Sequence, residues 1–155
     1  MIPVQHIHPM LVHFPIVIIF ALAAFDMLAT MRGQSVTGRT TAGNISTSLA
    51  AFAAVFAGAT YFFGGLALDV AESTGFHSNV AEIHEGLGEM VAIATSVYAV
   101  LRVGLWLRDV RISSMASFVF PATAVAGSVL VAVTAYYGGQ LVYDLGVNVA
   151  KVAMN

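Results

Sequence analysis

The chain has 155 residues, 59% of them hydrophobic and 9% charged, where a soluble domain carries roughly 25% charged residues. Six Lys and Arg against eight Asp and Glu give a net charge of -2, which excludes the basic stripe that nucleic-acid binding needs. The lack of cysteine excludes disulfides, thiolate zinc sites, cysteine-ligated iron–sulfur clusters and covalently attached c-type haem, so a bound metal has to be held by His, Met, Tyr or carboxylate.

A membrane-crossing helix takes about 20 mostly apolar residues, and the first such run covers about 10–31. The segment before it has no Lys or Arg and the run is too long for a cleaved signal peptide, so it reads as a retained helix. Pro9 suits a first helical turn, whereas Pro15, inside the run, is expected to kink it. Asp26 nears the inner end, where Arg32 or Arg102 is its expected partner. After Arg32 and Arg39 comes a second run, about 45–68, rich in small residues from Leu49 to Ala59. A loop follows, from Asp69 to Gly86. A third run covers about 87–107, with Arg102, Arg108 and Arg111 assigned to the turn that follows it. The fourth, about 116–140, has Pro121 inside it, expected to kink it as Pro15 does the first, and small residues from Ala122 to Val133. Small residues let membrane helices approach closely. The expected fold is all-α: one transmembrane domain over 1–155, an integral four-helix bundle in the lipid bilayer.

Five of the six basic residues fall between spans one and two or between three and four. The positive-inside rule makes that face cytoplasmic. The other face holds Asp69, Glu72, Glu82, Glu85, Glu89 and Asp144, with Lys151 as its single base. Both termini are therefore expected outside, on the periplasmic side of a bacterial cytoplasmic membrane.

The two halves resemble each other. Thr60, Phe62, Phe63, Gly64 and Gly65 match Thr134, Tyr136, Tyr137, Gly138 and Gly139 at an offset of 74, and His6 and His13 match His77 and His84 at 71. Two helical hairpins forming a parallel repeat about the membrane normal are predicted. This register sets His13 opposite His84. A facing imidazole pair is a way to hold haem iron, each ring's second nitrogen fixed by an acceptor. Gly64, Gly65, Gly138 and Gly139 would leave room for the macrocycle. Haem b is thus the leading cofactor, with His13 and His84 as its iron ligands and quinone or copper ranked behind. The alternatives are helix-packing glycines and an aromatic belt at the membrane interface.

His6 and His77 are candidates for an additional ligand pair, and His6, His8 and His13 with Glu82 or Glu85 for a copper or zinc site. Glu89 is read as a snorkelling interface charge, with proton acceptance as the alternative.

The segment His8-Pro9-Met10-Leu11-Val12-His13-Phe14-Pro15-Ile16 resembles a family of small bacterial four-helix membrane proteins, catalogued as domain of unknown function 2231. The resemblance extends to Gly64-Gly65 with Asp69, to His84, and to Gly138-Gly139-Gln140-Leu141-Val142-Tyr143 followed by Gly146-Val147-Asn148-Val149. Relatives of this type occur joined to Rieske or c-type cytochrome domains, which implies electron transfer. His8, His13 and His84 are the positions that carry over. The chain departs from the family at Gln5, where relatives often have a histidine.

The leading functional expectation is a b-type haem protein passing electrons near the periplasmic face, as a subunit of a respiratory or photosynthetic redox complex or beside other membrane or periplasmic redox proteins. The alternative is a cofactor-free accessory or scaffolding subunit that docks into a homo- or hetero-oligomer. No nucleophile–base pair, phosphate loop or hydrolase motif marks a stand-alone enzyme.

Overall fold

The computed structural model describes residues 2–112 and 114–149, whose regular structure is entirely helical. The first span consists of α1 (Ile7–Leu11) and α2 (His13–Met31). The second is α3 (Thr41–Glu72), the third α4 (Asn79–Leu107) and the fourth α5 (Val119–Tyr143). Short 3-10 turns at Val4–His6 and Ser114–Phe118 lead into the first and fourth. With these turns each span has 28 to 32 residues, about 42 to 48 Å against a hydrocarbon core of about 30 Å. Hydropathy marks only the part immersed in hydrocarbon, so every span, counted with its leading turn, starts before its predicted run.

Both interior prolines sit in first turns, Pro15 as the third residue of α2 and Pro121 as the third of α5. A helix leaves its first N–H groups unpaired anyway. Pro15 also removes the partner of the Leu11 carbonyl, and there the first span divides into α1 and α2, with Val12 still in helical conformation. Elsewhere polar caps start the helices: the Thr40 side chain accepts from Gly43 N at 2.9 Å, and that of Ser78 from Val80 N at 3.2 Å.

The four long helices form a ring. α2 and α4 each pack against α3 and α5, while α2 and α4, like α3 and α5, stand on diagonals without backbone contact. The core is built from small side chains, with Ala53 and Ala57 around Ile19, Val91 and Val131, and Ala23, Ala50, Ala99 and Ala124 around Leu22. Water provides no drive for association inside a bilayer, so close packing through such residues takes its place.

At one end the connections 32–40 and 108–112 are tied together. Ser35 Oγ donates to Ile112 O at 3.0 Å and Ile112 N to Thr37 Oγ1 at 2.8 Å. Arg39 N donates to Asp109 Oδ1 at 2.6 Å, its guanidinium lies over Trp106, and Trp106 Nε1 donates to Asn44 Oδ1 at 2.7 Å. Arg111 and the Arg39 backbone hold the Asp109 carboxyl below its ordinary range. This arginine end contains Arg32, Arg39, Arg108 and Arg111, whereas Arg102 is not in the turn: it lies inside α4, 1% exposed.

The opposite, terminus end gathers α1, the α3–α4 connection and residues 144–149, where Asn148 Nδ2 donates to Ala67 O at 3.2 Å. Lys151, the base expected on this face, lies outside the described residues.

Candidate functional site

In a helix the carbonyl of residue i accepts from the N–H of residue i+4, and side chains lean back over the preceding turn. A glycine four residues after a carbonyl therefore uncovers it from the side. Thr60 with Gly64 on α3 and Thr134 with Gly138 on α5 both have this spacing, and a histidine occupies each opening. His8 Nδ1 is 2.9 Å from Thr60 O, and His84 Nδ1 is 3.0 Å from Thr134 O. A Cβ at Gly64 would lie 2.9 Å from His8 Nδ1, and one at Gly138 2.9 Å from His84 Cε1. The glycines are the seats of the two rings.

Because a carbonyl only accepts, each Nδ1 carries the proton. In the neutral ring each Nε2 then holds a free lone pair. The two rings, both half-buried, meet across the α1/α4 diagonal with centroids 6.0 Å apart and planes at 84°. The histidine opposite His84 is thus His8, and the 71-residue register that set His13 there is corrected to one of 76. Equal spacing within the pairs His6/His13 and His77/His84 suggested the first register. The Thr carbonyls determine the second. His13, His6 and His77 are exposed and outside the pair.

Gly65 and Gly139, the other glycines singled out from sequence, play a different part. No atom lies within 4 Å of a Cβ at Gly65, and at Gly139 only Tyr143 Cδ2 does, at 4.0 Å. The aromatic pairs beside them repeat each other closely: Phe62 and Phe63 are edge to face at 5.3 Å and 79°, Tyr136 and Tyr137 at 5.5 Å and 78°. Phe62 and Tyr136 are exposed, as residues of an interfacial belt are.

The same diagonal is crossed again near the arginine end. Arg102 Nη1 donates to Asp26 Oδ2 at 2.8 Å, both side chains 0% exposed. The expected pairing of Asp26 is therefore with Arg102 rather than Arg32. Ser46 Oγ donates to Asp26 and accepts from Arg102, whose Nη2 also donates to Val36 O. Arg102 Nη1 reaches the Tyr98 hydroxyl at 2.6 Å, and the guanidinium lies 4.8 Å from the Phe120 ring centre. Sequence reasoning missed Tyr98, Ser46 and Val36, since nothing in an apolar run marks a serine or tyrosine as a partner for a buried charge.

Among the described residues no three of His, Asp and Glu come together as a metal site. The expected grouping of His6, His8 and His13 with Glu82 or Glu85 is therefore not assembled, and Glu82, Glu85 and Glu89 are all exposed. What the site offers is two imidazoles in ring contact, each anchored through Nδ1, with no third His, Asp or Glu grouped with them among the described residues.

No curated protein and no solved structure matches the chain. A family described as predicted membrane protein, DUF2231, matches residues 5–151. With a match over nearly its whole length, this four-helix bundle with its histidine pair belongs to the DUF2231 family of membrane proteins.

Proposed function

We propose that the protein is a membrane-embedded b-type haem protein that passes electrons near the terminus end of the bundle, with His8 and His84 as the iron ligands. The observation that carries this reading is the state of the two rings: each Nδ1–H is held by a helix carbonyl, which leaves both Nε2 atoms as ligands. An outer acceptor on the second ring nitrogen is the usual companion of a metal-bound histidine.

The residues fit the group. The two ring centres are 6.0 Å apart, within reach of one metal ion held by both imidazoles. Zinc or copper takes further protein ligands, and none stands beside this pair among the described residues. A porphyrin brings its own four nitrogens, and the imidazoles of His8 and His84 would be all it needs from the chain. The space beside Gly65 and Gly139 suits the edge of a planar ligand. Bound there, haem iron would supply one-electron chemistry. The chain's own part is to orient the imidazoles, fix their tautomer and exclude water. A quinol or a soluble carrier of the same face is the class of donor, and a respiratory or photosynthetic complex the setting.

The accessory-subunit reading rests on a different observation, an open apolar groove of about 470 Å³ between α2 and α5, lined by Phe20, Ala23, Ala24, Met27, Ser128 and Ala132 among others. Small residues of this kind accept a further helix. The two readings are compatible in one subunit of a complex.

Visible spectra of the detergent-purified protein, oxidised and dithionite-reduced, with iron analysis, test the proposal. Sharp reduced bands and stoichiometric iron are expected, lost in both His8→Ala and His84→Ala and kept in His13→Ala. A colourless, iron-free protein, or haem retained in both variants, overturns it.

A further inference from the structure

We infer that the histidine pair exchanges electrons with one side of the membrane only, the side facing the terminus end, so that its donor and its acceptor are both carriers of that side. This rests on the haem reading above and adds a direction to it. All five histidines of the chain lie at positions 6–13 or 77–84, at the terminus end. The other half of the bundle therefore contains no histidine for a second centre.

Between the pair and the opposite face stands an apolar partition. From His84 to Arg102, along the unbroken α4, is about 27 Å at 1.5 Å per residue. That length is filled first by the layer around Ile19, Ala53, Ala57, Val91 and Val131, then by the one around Leu22, Ala50 and Ala124. Hydroxyls within or beside these layers do not form a chain. Thr95 donates to Val91 O, Ser128 to Ala124 O and Thr134 to Leu130 O, each within its own helix.

The far end is closed as well. Asp26 and Arg102 neutralise one another with both side chains out of solvent, and Val36, itself 0% exposed, supplies a carbonyl to the same cluster. A one-electron transfer at the pair is then balanced on one face: an electron arrives from a reduced carrier and departs to an oxidised carrier, with no net charge moved across the bilayer.

Two measurements in proteoliposomes test this. The molecules facing each way are first counted by impermeant maleimide labelling of Glu85→Cys, an exposed site next to His84 in a chain that has no cysteine of its own. Dithionite added outside should reduce only the haem of molecules whose terminus end faces out, and the remainder only after detergent. Prompt reduction of all the haem overturns the inference. The second measurement does not need haem: Ile19→Cys and Ala53→Cys should remain unlabelled from either side in the folded protein, and labelling of either from the arginine side overturns the partition. A preparation without haem and with both cysteines protected refutes the haem reading and the electron exchange with it, while leaving the partition intact.

Discussion

Asp26 and Arg102 stand 76 residues apart in the chain and touch across the bundle axis, the separation that also relates His8 to His84. Residues that a two-fold repeat makes equivalent meet only on its axis. The two contacts therefore mark that axis near each end. Their energetics differ. The histidines keep carbonyl partners, whereas the ion pair is charged and removed from solvent, so its integrity depends on both members being present.

Removing one member alone should be severe. Arg102→Met leaves the Asp26 carboxylate uncompensated in the interior, and a loss of about 3–5 kcal/mol is expected. The double variant Asp26→Leu with Arg102→Met should lose less than either single variant, with Val36 O and Ser46 Oγ left without their guanidinium partner at about 1–3 kcal/mol each as an upper range. Unfolding in detergent measured for the four-member cycle decides this. Additive single losses would contradict the coupling.

The seats of the histidines predict a contrast between adjacent glycines. In Gly64→Ala the new methyl meets the His8 ring, so the ring must leave the Thr60 carbonyl, with destabilisation of about 1–3 kcal/mol and loss of haem retention. Gly65→Ala meets nothing within 4 Å and gains helix propensity of about 1 kcal/mol, so the haem-free protein should be as stable as wild type or more so. Gly138→Ala should behave like Gly64→Ala. Thermal unfolding with a haem titration reads all three.

Asp109 gives a pH prediction at the arginine end. Its carboxyl is held below the ordinary range chiefly by the hydrogen bond from Arg111, then by the Arg39 backbone. The depressed value means that its contribution is present above the unfolded carboxylate value and is lost as pH falls through the folded one. The group is exposed, so the effect is local. Hydrogen exchange at the Arg39 amide should quicken at acidic pH beyond the intrinsic trend, and Asp109→Asn should abolish that excess. Asn is the apt replacement because Asp109 has φ 50°, a left-handed conformation that Asn accepts. An unchanged pH profile in Asp109→Asn would rule the bond out as its source.

Much of this was readable from residues. Apolar run length located the four spans, and the Thr-aromatic-Gly-Gly element revealed the repeat. The partner of His84 was not readable from matched histidine spacing, because ring contacts depend on which carbonyl a glycine uncovers four residues earlier. Thr60/Gly64 and Thr134/Gly138 contain that signal. Hydropathy scores a charge as the end of a span, which puts Arg102 in a turn, while its burial depends on Asp26, Ser46 and Val36 from three other segments. A single run of sequence has no means of showing that convergence.

The repeat also explains why the two hairpins belong in one polypeptide. A dimer of identical hairpins would set every axial residue against its own copy. Histidine tolerates that, since two imidazoles can share one metal ion, but aspartate facing aspartate or arginine facing arginine in the interior would repel. Joining the halves allows one position to differ between them. The covalent link thus makes it possible to lock the arginine end with opposite charges while the terminus end keeps a like pair of imidazoles.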